Sequence, residues 1–335
     1  MRYRYSIFLV GVLFIAESCP RTSSDDDIPL DDDTEVDDDT EVDDDTTDDD
    51  IPDDDTTGDD DDDEGNPIDD WVEVGVGDFH SCGLRNDGTI LCWGCDNGCE
   101  EKTRNSPCFP PSGLFVTMFP GHGNMCAMKE DGTVECWGWE GHGVTDVPAG
   151  IFTTVSVGLT HACGLKDDGG VECWGCADEV YDQGECVVPN QIYIDVGAGD
   201  MHSCGMQESG VVDCWGYNVH GECNAPQDVF TEVHSGYYSN CGIDDDRRVT
   251  CWGAMSFYSQ YGCQKISVGQ SAICGLTTDG SVVCQGDNHE GLCNVPQGEY
   301  QDVSVGTEHV CALRVDGTIA CWGDCGFRRC EVPTE

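Results

Sequence analysis

Beyond residue 70 the chain is written in short runs in which apolar and polar positions alternate, each run broken by a turn rich in Asp and Gly. A period of two reads as half-buried β-strand. In CGLRNDGTILC, residues 82–92, folding the chain about Asp87 sets Cys82 opposite Cys92 and Leu84 opposite Ile90. Asn86-Asp87-Gly88 then forms a three-residue loop, with Gly88 at the left-handed position that closes such a hairpin. Residues 85 and 89 become a hydrogen-bonded pair, so alternation makes both 84/90 and 82/92 non-hydrogen-bonded pairs. There the Cβ atoms lie about 4.5 Å apart, close to the roughly 3.8 Å that a disulfide needs.

The same unit recurs seven times with nine residues between its cysteines: Cys82/Cys92, Cys126/Cys136, Cys163/Cys173, Cys204/Cys214, Cys241/Cys251, Cys274/Cys284 and Cys311/Cys321. First cysteines are 44, 37, 41, 37, 33 and 37 residues apart, so the hairpin is constant and the connections vary. Seven intrablade disulfides are expected, each contributing roughly 2 to 3 kcal/mol in the chain-entropy view. The apolar pair repeats as Met128/Val134, Leu165/Val171, Met206/Val212, Ile243/Val249, Leu276/Val282 and Leu313/Ile319. A Trp follows the second cysteine at 93, 137, 174, 215, 252 and 322, with Gln285 in the sixth copy. A hairpin that needs cover on both faces must stand between neighbours. Strand-rich units of this size close into a ring, which predicts an all-β, seven-bladed β-propeller with short blades over residues 71–335.

VGVGDFHSCGLRNDGTILCWG (74–94) and VSVGTEHVCALRVDGTIACWG (303–323) resemble the repeat of the regulator of chromosome condensation family, with bacterial secreted members the nearest in style. The weaker copies are the second, with its His displaced to His122, the fifth, whose turn DDDRR has no Gly, and the sixth, lacking His and Trp. The resemblance implies a seven-bladed propeller. It leaves function open, because functions in that family run from nucleotide exchange on a small GTPase to inhibition of secreted enzymes.

Ahead of the repeats the chain is a different material. Residues 25–70 hold 28 of the 67 acids and no Lys or Arg, with almost nothing apolar to bury. Such a segment is expected to be a disordered acidic tether, with a contour on the order of 150 Å at about 3.3 Å per residue. Its carboxylates show no EF-hand register, so only weak, nonspecific Ca²⁺ or Mg²⁺ condensation is expected, and no cofactor. Residues 71–335 keep 38 acids against 11 bases, which opposes binding to nucleic acid. Arg2 and Arg4 precede an apolar run, Ile7 to Ala16, of signal-peptide length. Ala16-Glu17-Ser18-Cys19 then resembles a lipobox, departing from it at Ala16 and Glu17, and makes Cys19 the expected lipidation site. Removing Cys19 leaves 24 of the 25 cysteines, an even number that suits an oxidising compartment. Domains at 1–18 (signal), 19–70 (tether) and 71–335 follow, with a location outside the cytosol, at an outer membrane or cell surface, and a monomeric state.

Candidate chemistry is thin. His80, His161, His202 and His309 stand two residues before the first cysteine of their copies. A catalytic residue is needed once, so recurrence favours a structural role. Cys92/Cys95 and Cys173/Cys176 are C-x-x-C pairs, which could be redox or zinc half-sites. Loop staples Cys95–Cys108, Cys176–Cys186 and Cys325–Cys330 explain them better, leaving Cys99, Cys223, Cys263 and Cys293 without assigned partners. No catalytic motif is present, and no metal site or enzyme activity is expected. Aromatics in the variable loops, Trp139, Tyr237, Tyr238, Phe257, Tyr258 and Tyr261, are the expected interface for a protein or glycan ligand. The expected function is thus a membrane-tethered, non-catalytic binding scaffold, with inhibition of a secreted or periplasmic enzyme and a structural envelope role as alternatives. Guanine nucleotide exchange conflicts with a signal segment and an oxidised framework.

Overall fold

The computed structural model describes residues 71–95, 106–176, 182–259 and 261–333; the signal segment, Cys19, the acidic run and Cys99 lie outside them. Seven three-stranded antiparallel sheets follow one another along the chain. The first is β1 (Trp71–Val76), β2 (Ser81–Arg85) and β3 (Ile90–Trp93). The others run from β4 (Thr117–Pro120) to β6 (Val134–Gly138), β7 (Thr154–Val157) to β9 (Val171–Trp174), β10 (Asp195–Ala198) to β12 (Val212–Gly216), β13 (Glu232–Ser235) to β15 (Val249–Gly253), β16 (Cys263–Val268) to β18 (Val282–Gly286) and β19 (Tyr300–Val305) to β21 (Ile319–Gly323). Each sheet is one blade of a seven-bladed β-propeller.

The hairpin register follows from the turn. Arg85 N–H donates to Thr89 O and Gly88 N–H to Arg85 O, both at 2.9 Å, with Gly88 at φ +84°. Cys82 therefore pairs with Cys92 and Leu84 with Ile90. All seven Cys-x9-Cys pairs are disulfides: Cys82–Cys92, Cys126–Cys136, Cys163–Cys173, Cys204–Cys214, Cys241–Cys251, Cys274–Cys284 and Cys311–Cys321, with Cα–Cα distances of 4.0 or 4.1 Å. In the fifth blade Arg247 takes the left-handed position at φ 63°, keeping the turn closed without a glycine.

The core is divided among seven seams between adjacent blades. At the first, Leu84 and Ile90 of blade one meet Phe115, Met118, Met125 and Trp137 of blade two. At the last, Leu313 and Ile319 of blade seven meet Trp71, Val74 and Trp93 of blade one, so the ring closes by burial, the non-directional driving force of folding. No blade combines strands from the two ends of the described chain. Inside every blade but the sixth a ring at or just before the first strand packs beside the Trp of the third, as in Trp71–Trp93, Phe152–Trp174 and Tyr193–Trp215. The residue after the first cysteine must then be small: a Cβ on Gly164 would lie 2.4 Å from the Phe152 ring.

The innermost strand of every blade is an edge strand, whose outward N–H groups need acceptors. At five of the seven seams a side chain of the preceding blade supplies one. Glu73 accepts from Met118 N at 3.1 Å, Ser156 from Ala198 N at 2.8 Å, Asp195 from Val233 N at 3.1 Å and Ser267 from Val305 N at 3.0 Å. Asp302 and Ser304 do the same for Val74 N and Val76 N across the closing seam.

Candidate functional site

The recurrent histidines and tryptophans meet at the seams. His161 Nε2 lies 2.8 Å from Ser203 Oγ in the next blade, and Ser203 donates onward to Glu185 O at 3.0 Å. The Ser hydroxyl proton is thereby committed, so His161 Nε2–H is the donor. Trp215 Nε1–H donates to the same carbonyl at 2.7 Å. The arrangement repeats with His202, Asn240, Glu222 O and Trp252, and with His309, Ser81, Arg329 O and Trp93. Burial holds His161 and His309 down to about 3. The imidazoles of His161, His202 and His309 are fully buried, as a structural role requires. His80, equally buried, has no partner at its Nε2.

The hairpin cysteines belong to the seams as well. The first cysteine of each pair is buried, whereas the second is half-buried. Cys136, Cys251, Cys284 and Cys321 pack against the apolar clusters between blades, and no cysteine of the seven pairs lines the central channel. Cys136, Cys251, Cys284 and Cys321, with their partners, are the framework bonds that the spacing of nine predicts. A bond that ties second strand to third necessarily lies outward of the innermost strand, so these sulfurs hold the scaffold and stand away from the channel.

The seven inner strands surround that channel, which has a volume of about 470 Å³. At the end where the hairpin turns lie, it is lined by Glu73, Asp195, Glu232 and Lys265, with Asp302 paired to Lys265 behind them, which resembles a cation site. Its carboxylates are occupied. Glu73 and Asp195 cap inner strands, and Asp302 adds an ion pair with Lys265 to its own cap. Burial, opposed by Lys265, raises Glu73 to about 7.

The other end, where first and second strands connect and where the post-tryptophan loops gather, is built differently. The residue after each inner-strand glycine is Asp78, His122, Leu159, Asp200, Tyr237, Gln270 or Thr307, six kinds of side chain, with Asp alone occurring twice, in one column of an otherwise uniform repeat. Tyr237, from blade five, reaches across the channel. Its hydroxyl bonds Asp78 of blade one and lies 2.6 Å from Thr307 of blade seven, while its ring stacks on His122 of blade two at 3.7 Å between centroids. Asp200, only 2% exposed, has one oxygen without any partner. Burial first, and then the charges of Asp78, Glu222 and Glu185 against a Tyr238 hydrogen bond, raise it to about 7. Sequence reading missed this column because each copy was scanned for what recurs, whereas the signal is the position at which the copies disagree.

The loops of this face carry the remaining cysteines. Cys95–Cys108, Cys176–Cys186 and Cys325–Cys330 are disulfides. Each C-x-x-C cysteine thus belongs to a different bridge, which removes the redox and zinc readings. Cys223, Cys263 and Cys293 are free. Cys223 and Cys293 stand eight residues after the hairpin-closing Trp215 and Gln285, as Cys330 does after Trp322, but Asn218 and Asn288 stand where Cys325 would be. There Asn218 bonds Cys223 N at 2.9 Å and Asn224 at 3.2 Å, and Asn288 repeats both contacts. Cys263, buried, takes the place of the first-strand ring in blade six, beside Phe257.

The six aromatics expected at an interface divide. Trp139, Tyr258 and Tyr261 are exposed and Tyr238 is half-buried. Tyr237 and Phe257 are buried and leave the surface set: one closes the channel mouth and the other fills the space beside Cys263. The described residues also place Asp244, Asp245 and Asp246 together at the fifth hairpin turn, half-buried or exposed. No helix among them is long and apolar enough to cross a membrane.

With this geometry in hand, comparison with known proteins is informative. The sequence model of the Regulator of chromosome condensation (RCC1) repeat matches residues 71–100, a range that includes the three strands of the first blade. No curated protein matches the chain by sequence. Among solved structures, it is similar to the CRINKLY WD40 ectodomain of the Arabidopsis thaliana receptor kinase ACR4, with TM-score 0.61 and 24% identity over 80% of this chain and 99% of that one. The ectodomain of the Physcomitrella patens receptor kinase CR4 gives TM-score 0.61 and 24% identity over 75% and 72%. Yeast RCC1 (Prp20), from its complex with Kap60, gives TM-score 0.54 and 14% identity over 63% and 70%. The described chain is therefore a seven-bladed β-propeller whose first blade matches the RCC1 repeat.

Proposed function

We propose that this protein is an extracytoplasmic binding scaffold, held to a membrane by a lipid on Cys19, whose propeller presents its loop face to a protein or glycan ligand without catalysing a reaction. The observation that carries this reading is a division of labour. Seams, staples and strand caps repeat from blade to blade, while the turn column and post-tryptophan loops of one face differ in nearly every copy. Binding surfaces concentrate on variable loops held by a rigid scaffold. Ten disulfides among the described residues suit an oxidising compartment. The recurrent histidines are buried inside seams, which supports a non-catalytic role.

The experiment is a pull-down from whole cell envelopes with the full chain, in parallel with metabolic labelling of the wild type and Cys19→Ala by a lipid precursor. A stoichiometric partner and label only on the wild type are expected. Recovery of no partner under varied extraction would leave a purely structural role, and equal labelling of Cys19→Ala would remove the lipid anchor.

A further inference from the structure

The loop-face mouth of the channel holds a carboxylate with nothing to neutralise it. Asp200 is 2% exposed, and its Oδ1 has no hydrogen-bond partner. The charged groups that act on it are Asp78, Glu222 and Glu185, all acidic. Glu222, fully buried, has a second unpartnered oxygen, Oε1. Other acids nearby are provided for: Glu185 accepts Gln183 N at 2.7 Å, and Glu308 and Asp324 share the buried guanidinium of Arg329. A carboxylate buried without a partner is costly to ionise, and a cation brought to it from outside relieves that cost.

Aromatic rings continue outward from this point. His122 stacks on Tyr237, Tyr237 lies 6.2 Å from Tyr238, Tyr238 lies 5.5 Å from His220, and His220 lies 6.3 Å from Tyr217. The inner members are buried, while Tyr238 and Tyr217 are half-buried and His220 is exposed, so the run leads from solvent to Asp200. Aromatic faces attract organic cations, and a carboxylate at the end of such a run supplies the opposite charge. A calcium ion would need six to eight oxygens converging on one point. Among the described residues, the group of three carboxylates close enough to share an ion is Asp244, Asp245 and Asp246, in a hairpin turn and not at this mouth.

We propose that the loop-face mouth is a binding site for a basic side chain, lysine or arginine, of a protein partner, with Asp200 as counter-ion and the Tyr238, His220 and Tyr217 rings as its approach. The proposal rests on the binding-scaffold reading and gives its partner a chemistry. A cation there favours the charged form of Asp200, which burial otherwise holds back, so binding strengthens as pH rises through 7. Asp78, Glu185, Glu222, Tyr237 and Tyr238 are the groups facing Asp200, and none of them is a base that would oppose this.

The test is titration of the full chain at fixed ionic strength with N-acetyl-Gly-Arg-Gly-amide, its Lys counterpart and a Gln control, followed by calorimetry. Asp200→Asn keeps the side chain's shape, and Tyr238→Leu removes the ring; the acidic run at 25–70 is common to all proteins, so its contribution cancels. Binding of the Arg or Lys peptide at least tenfold weaker in both variants, with unchanged non-reducing thermal midpoints, supports the site. Should either variant unfold, Tyr238→Phe, which keeps the ring and loses the hydroxyl, is expected to bind with less than a tenfold loss. Equal affinity in wild type and Asp200→Asn overturns the proposal, as does CaCl₂ alone showing the same Asp200 dependence and displacing the peptides. If the envelope partner is captured equally by wild type and Asp200→Asn, the scaffold stands and this site fails; if the wild type captures nothing, the scaffold reading itself fails.

Discussion

At the scale of single residues, two buried asparagines show what a seam requires. Asn240 accepts from His202 Nε2 at 2.9 Å and donates to Glu222 O at 2.9 Å, so both ends of its amide are used. Asn124 is equally buried, but neither its nitrogen nor its oxygen finds a partner. Removing one partner from a satisfied buried pair strands the other, at about 1–3 kcal/mol. Asn240→Ala is therefore expected to lower stability by about 1–3 kcal/mol, whereas Asn124→Ala leaves it unchanged or raises it. Denaturant midpoints under non-reducing conditions check the contrast, and equal losses would contradict it. Much of this scale was legible in advance: the pairing of Cys82 with Cys92 follows from a turn closed by Gly88. The partner of His161 was not, because Ser203 lies 42 residues away in another blade.

At the scale of elements, the post-tryptophan loop comes in stapled and unstapled forms. Cys325–Cys330 closes it in the seventh blade, and an asparagine clasp closes it in the fourth and sixth. Asn218 and Cys223 are five residues apart, as are Cys325 and Cys330. Asn218→Cys should then oxidise with Cys223, because the chain already folds this span with the same spacing between the two positions. Thiol titration of the denatured, unreduced protein is expected to find one reactive group fewer than in the wild type, although a cysteine has been added; one group more would show that the clasp differs from the staple in backbone. The loop interval was readable but unused. Trp137, Trp215, Trp252 and Trp322 each donate to a carbonyl 30 residues upstream, at the residue just before Cys108, Cys186, Cys223 and Cys293. That interval places the two free cysteines in the same column as the bridged ones.

At the scale of the whole molecule, buried ionisable groups set the pH range of the ring. Burial lowers His80 to about 4 and His161 and His309 to about 3, and it lowers His122 and His202 as well. The unfolded chain takes up those protons near 6.5 and the folded one does not, so stability is lost as pH falls from 6.5 toward 4. Glu73 and Asp200, raised to about 7, and Asp195, raised by burial, act in the opposite sense. They hold protons that the unfolded chain releases near 4, and their cost is complete above 7. Five lowered histidines outnumber three raised carboxylates among the described residues. The thermal midpoint is expected to peak between about pH 6 and 7 and to fall toward pH 4.5, with net proton uptake on unfolding at pH 5. A midpoint that rises on acidification through this range would contradict the histidine contribution.

The sequence by itself determined whatever is local and repeated: the hairpin register, the sulfur pairs within it, the apolar face of each blade, the blade number, and hence the propeller. A period of two and a constant interval of nine are properties of a chain within about ten residues of itself. Only the tertiary structure decided what lies between blades. It showed that the channel acids cap edge strands, that Tyr237 closes the mouth instead of meeting solvent, and that Asp200, hydrogen-bonded by Tyr238, meets the charges of Asp78, Glu222 and Glu185. These are encounters between residues tens to hundreds of positions apart, fixed by how the ring brings seven copies of one turn to a common axis, and no spacing along the chain encodes them.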